Sequence, residues 1–194
     1  MNPIKSITHN GYKIEIFPDE LGESPREWDN IGIMVCFHNR YELGDKTEYR
    51  SDNYNGWDEL KDDILSDNSG SIILPLYLLD HSGLAMSTGS FHNPWDSGQV
   101  GFIYTSRAKI KEGWGWGKLT KYRRDKIIEC LNQEVKTYNQ YLNGDIYGYR
   151  IKDQYGNTLD SCWGYYGMDY CIKEAMAGIE FIPAPPIPAL DSVF

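Results

Sequence analysis

Two apolar runs constrain this chain more than any other feature: residues 72–79 (IILPLYLL) and residues 100–104 (VGFIY). Each is short and unbroken by charge, which is the pattern of a buried strand. The segment between them is small and polar, and each run joins it beside an acid. The first ends in Asp80-His81; the second is preceded by Pro94-Trp95-Asp96-Ser97-Gly98. Paired as antiparallel neighbours, the two strands gather Asp80, His81, Asp96 and Ser97 at one end of a buried sheet. Loops tethered to rigid strands carry most sites, so this end is the first place to look for chemistry.

The other elements follow from periodicity and punctuation. Alternation predicts a strand over residues 12–17, stopped by Pro18-Asp19, and an apolar stretch predicts a buried strand over residues 31–37. Residues 38–55 read as a long, acidic, tyrosine-bearing loop. Residues 57–65 fit a short helix with Trp57, Leu60, Ile64 and Leu65 on one face and acids on the other. Thr120 is placed to cap the longest helix, about 121–142, in which Ile127, Leu131, Val135, Tyr138 and Leu142 recur at helical spacing before Gly144. Residues 146–152 and 158–163 form a hairpin across Gln154-Tyr155-Gly156-Asn157. Asp169 caps a last helix that ends at Gly178, and prolines make residues 182–194 an extended tail. A chain of 194 residues is long enough for one well-buried domain and short for two. The expectation is an α+β domain over residues 1–181: a mainly antiparallel sheet with one long helix and two shorter helices packed on it.

Charge is spread unevenly. Residues 1–100 carry 17 acids against 7 bases, whereas the rest of the chain is near neutral, giving −9 in all. Acids are densest over residues 42–67 and bases over residues 107–126. Such a chain does not bind nucleic acid non-specifically as a whole, because that affinity comes from neutralising phosphates. It suits a basic protein surface instead. The four cysteines (36, 130, 162, 171) show no CxxC spacing and read as reduced thiols of a cytoplasmic protein. No apolar run approaches the length of a membrane span.

Several constellations offer chemistry. Asp80, His81 and Asp96, with Asp29 and Asp160 as further acids, are the residue types that hold Mn²⁺ or Mg²⁺ and activate water against a phosphodiester. The same carboxylates also serve turns next to Gly83 and Gly98. A Ser-His-Asp triad from Ser97 or Ser82 is rejected, since neighbours on one strand end point to opposite sides. Cys162 is the best placed thiol, but no residue next to it in sequence would activate it as a nucleophile. Trp114 and Trp116, alternating with glycines inside the basic stretch, suit a contact surface. Tyr41, Tyr49, Tyr54 and Trp57 lie among Asp58, Glu59, Asp62 and Asp63, a set able to imitate phosphate spacing beside packing rings.

The segments SPREWDN (24–30), YLLDHSG (77–83), PWDSGQVGFIY (94–104), EVKTYNQYLNGDIYGY (134–149) and DSCWGYYG (160–167) resemble a family of small acidic proteins encoded in bacteriophage and prophage genomes. The similarity spans nearly the whole chain. It implies an accessory protein at work in the cytoplasm of a bacterial host, and such proteins are often inhibitors of host defence, anti-CRISPR proteins included. The resulting expectation is a non-enzymatic protein without cofactor that blocks a host defence component, most concretely a nuclease such as Cas9. Its acidic residues 41–67 would compete with nucleic acid, with Trp114 and Trp116 as anchors. The alternatives are a metal-dependent phosphoesterase using Asp80, His81 and Asp96, and a sequestering protein for a signalling nucleotide with Trp95 or Trp163 stacked on a base.

Overall fold

A computed structural model describes residues 2–182. The proline-rich tail expected over residues 182–194 lies, beyond Ile182, outside the described residues. In chain order the elements are β1 (Lys5–His9), β2 (Tyr12–Pro18), β3 (Ile33–Cys36), α1 (Trp57–Asp67), β4 (Ile72–Asp80), β5 (Leu84–Ser87), β6 (Ser97–Thr105), α2 (Arg107–Trp114), α3 (Lys121–Leu142), β7 (Ile146–Lys152), β8 (Thr158–Tyr166) and α4 (Met168–Ile179). Both sheets are antiparallel and the fold is α+β. Whereas the sequence reads as one domain around one main sheet, the contacts gather the chain into two compact units. One unit combines residues up to Gly22 with those from Gly144 onward; the other is continuous from Glu23 to Asn143. Each holds its own four-stranded sheet.

In the continuous unit the strand order is β3-β6-β4-β5. The apolar runs at 72–79 and 100–104 pair as antiparallel neighbours, with Ile73 opposite Tyr104. Their lack of a polar face is explained by a helix on each side. Met34, Leu76, Ile103, Leu131 and Val135 pack together where α3 covers one face, and Val35, Phe102 and Tyr104 meet Leu60 and Ile64 of α1 on the other. Alternation along β3 and β6 sends neighbouring side chains into the two layers. Pro75 is tolerated within β4 because β5 pairs only from Tyr77 onward, leaving that stretch with one hydrogen-bonding neighbour. Gly101 stands where an added Cβ would run into the Val35 carbonyl, so the close approach of β3 requires glycine.

The second unit orders its strands β1-β2-β7-β8 and covers one face with α4. Ile14, Ile16, Tyr149 and Ile151 pack there on Cys171, Ala175 and Ile179. β1 is an addition to the expected elements: Asn10 (φ 48°) and Gly11 (φ 82°) turn it into β2, the dihedral signs of a type I′ hairpin. α2 is a second addition. Ser106 caps it by accepting from Lys109 N–H, and Gly115 ends it in the left-handed region (φ 67°), so Gly113 and Trp114 belong to its last turn. The last helix starts earlier than expected: Gly167 is its N-cap, which places Asp169 in the first turn.

Candidate partner-binding site

α1 begins without a side-chain cap at Gly56, and Glu59 takes over by accepting from Asn55 N–H at 2.7 Å. Leu60 and Ile64 fix the buried stripe, which leaves Asp58, Glu59, Asp62 and Asp63 exposed along the opposite side. The rings beneath do not stand free. Phe37 stacks on Tyr54 (6.4 Å) and Trp57 (6.2 Å), and Trp57 meets the edge of Phe102 (6.3 Å). Tyr54 O–H donates to Asp63 at 2.6 Å, and this bond is the main reason its phenol is pushed up to about 12. Tyr49, whose phenol is pushed up mainly by burial, donates to Asp67 at 3.2 Å. The expected cluster of Tyr49, Tyr54, Trp57 and acids is therefore brought together as half-buried rings with an acidic helix side over them.

Beside these rings opens a cleft of about 1280 Å³. Tyr41, Tyr54 and Trp57 line it from the acidic segment, Trp28 and Asn30 from the SPREWDN motif, and Lys109 from α2. Its scaffold is the buried Arg26 guanidinium, which donates to both Asp45 oxygens (2.9 and 2.7 Å), to Glu134 at 3.1 Å and to the Gly32 carbonyl at 2.8 Å. Glu134 in turn accepts from Ile31 and Gly32 N–H, and Asp45 from Met34 N–H. The motif thus ties the β2–β3 and β3–α1 loops to α3 and β3. Cys36 also lines the cleft, but burial and then the Asp45 charge push its thiol up to about 12, which disfavours a nucleophilic thiolate.

The β4–β6 pairing does bring Asp80, His81, Asp96 and Ser97 to one sheet end. Asp80 N–H donates to the Asp96 carbonyl at 2.8 Å, and His81 Nδ1 lies 3.1 Å from Asp96 Oδ2. The two carboxylates nevertheless serve different partners. Asp80 is ion-paired with Arg40, whereas Asp96 accepts from Asn93 Nδ2 at 2.8 Å. Ser97 donates to the Asn93 carbonyl, completing a tight turn that displays a fully exposed Trp95. Asp29 lines the cleft instead, and Asp160 belongs to the other unit, where it accepts from Tyr149 at 3.1 Å. Among the described residues, no group of three or more His, Cys, Asp and Glu is placed to hold a metal ion.

Trp114 and Trp116 correct the picture of two exposed rings. They meet edge to face at 4.6 Å and are half-buried against the core under α3, with Arg123 over Trp116 at 5.3 Å. All four cysteines are free, with Cys171 buried and Cys162 exposed. Among the described residues no helix is long and apolar enough to cross a membrane. No protein-family model, curated protein or solved structure matches the chain.

Proposed function

We propose that the chain is a non-enzymatic accessory protein that occupies a basic, nucleic-acid-binding surface on a host defence protein. The observation that carries this reading is the side of α1 on which Asp58, Glu59, Asp62 and Asp63 stand exposed above packed rings. Carboxylates one helical turn apart, on a rigid support, present a row of negative charge without the entropy cost of ordering a loop. The cleft next to Tyr54 and Trp57 offers a recess for a partner side chain. The resemblance to phage-encoded proteins points to a CRISPR nuclease such as Cas9 as the target, met in the cytoplasm of the bacterial host. Trp114 and Trp116 support α3 in this reading and do not act as anchors. The hydrolase alternative is weaker, because Asp80 is held by Arg40 and Asp96 by Asn93, both outside the Asp80, His81 and Asp96 set.

The test is inhibition of DNA cleavage by a guide-loaded Cas9. The wild-type chain should inhibit, with affinity falling steeply as salt rises. Replacing Asp58, Glu59, Asp62 and Asp63 by lysine should abolish inhibition. Glu59 and Asp63 also hold the Asn55 N–H and the Tyr54 hydroxyl, so the pair Asp58→Lys and Asp62→Lys, which breaks neither bond, should weaken inhibition with the melting temperature within a few degrees. Inhibition that survives the four substitutions overturns the electrostatic mechanism, and a wild-type chain without effect removes this nuclease as target.

A further inference from the structure

The face of the β1-β2-β7-β8 sheet opposite α4 carries a charge pattern unlike the rest of the molecule. Side chains alternate along β2, so Ile14 and Ile16 face α4 while Lys13, Glu15 and Phe17 face the other way. The register sets Lys13 beside Lys152, Glu15 beside Arg150, and Phe17 beside Gly148. Glu15 is buried between Lys13 (2.7 Å) and Lys152 (2.9 Å), whose hydrogen bonds hold its carboxyl below the usual range. Two lysines thus pair with one carboxylate, and Arg150 stands opposite it in the register, on a chain of net charge −9.

The third row supplies a ring. A side chain on Gly148 would run into the Trp163 indole, so the glycine lets that ring lie flat on the strand while 39% of Trp163 remains exposed. Phe17 and Trp163 meet at 5.9 Å, and Arg150 lies over both rings, 4.8 Å from the Phe17 centroid and 5.9 Å from that of Trp163. Among the described residues nothing accepts from its guanidinium. A planar fork held in place by aromatic faces, with its donors free, is preorganised for an oxyanion. Successive rows of a strand face are about 7 Å apart, a spacing of the same order as that from a nucleobase to its phosphates.

We propose that this sheet face binds a nucleoside phosphate, with the base stacked on Trp163 and the phosphates held by Arg150, Lys152 and Lys13. Lys13, Lys152 and Arg150 less the Glu15 carboxylate leave two net positive charges, which match the few charges of such a ligand. They do not match a polynucleotide, whose binding grows with each phosphate neutralised and is opposed by the acidic chain around the site. The site lies in the unit that does not contain α1, so it is independent of the partner-binding reading.

The experiment is calorimetric titration of the full chain with ATP and GTP, with adenosine, tripolyphosphate and an oligo(dT) strand as comparators. One nucleotide should bind one-to-one, with the nucleoside and tripolyphosphate each at least ten-fold weaker. Trp163→Ala and Arg150→Gln should each weaken binding ten-fold or more, the first by removing the stacking face and the second by removing the phosphate fork. If Trp163→Ala does not fold, Lys13→Gln, whose side chain is 52% exposed, still tests the phosphate arm and should cost about three-fold or more at low salt. No nucleotide binding, binding unchanged in all of these variants, tripolyphosphate as tight as ATP, or a preference for oligo(dT) would each overturn the proposal. The variant with α1 charges reversed should bind nucleotide like the wild type, so either reading can fail without the other.

Discussion

Arg26 and Arg150 are the same side chain in opposite circumstances. Arg26, 5% exposed, spends its donors on two carboxylates and a carbonyl, and those acceptors are themselves held by backbone N–H groups. Arg150 rests against Phe17 and Trp163, and among the described residues its donors are uncommitted. A buried charge is tolerated when its shell of partners is complete, and a complete shell leaves nothing for a ligand. An incomplete shell held rigid by rings is poorly worth conserving for stability but well suited to recognition. The first cluster is structural, and the second is where a ligand has something to do.

Mutation can break that contrast. Arg26→Ala should have the largest effect, about 3–5 kcal/mol in denaturant unfolding, because it strands Asp45 and Glu134. Arg26→Lys should recover little, since an ammonium cannot reproduce the bidentate contact to Asp45. Glu15→Gln comes next, at about 1–3 kcal/mol, and its signature is in the pH dependence. The folded carboxyl titrates below its unfolded value, so its contribution is present above the ordinary glutamate range and is lost as pH falls through the folded pKa. Wild-type stability should therefore drop on acidification, and Glu15→Gln should flatten that drop. The smallest effect is expected from Arg150→Gln, about 0.5–1 kcal/mol from lost ring contacts. A loss as large as that of Arg26→Ala would show the Arg150 cluster to be structural after all.

How legible these features are in the sequence depends on how local their causes are. The 121–142 helix is readable because Thr120, the apolar spacing and Gly144 all lie within it, and the structure has Thr120 accepting from Arg123 N–H. The two buried strands are readable because burial on both faces leaves them without polar positions. β1 escapes notice because its five residues bring one partly buried apolar side chain, Ile7, even though Asn10-Gly11 is a strong hairpin signal. α2 escapes because only Ile110 of its eight residues is buried, so basic residues dominate the pattern. The Arg26 network is illegible for a different reason: Arg26 and Glu134 are far apart in sequence and nothing in either segment announces the other. The acids of α1 are visible from composition alone, whereas the stacking of Phe37, Tyr54 and Trp57 beneath them is not. Trp163 stands out as an aromatic, but its setting needs Gly148 and Arg150 on the neighbouring strand.

The threading of the chain has a consequence for how the protein comes into being. The β2–β7 pairing joins Lys13 to Lys152, with the whole of the other unit lying between them in sequence. On the ribosome β1 and β2 emerge as an isolated hairpin, which is marginal in water, and must wait for β7. The continuous stretch from Glu23 to Asn143 has its own sheet and core, so it can condense while synthesis proceeds. Its compaction draws the waiting strand and the nascent one together and lowers the loop-closure entropy of their pairing. Birth order thus favours the inserted unit first, and the sheet that carries Trp163 and Arg150 forms last.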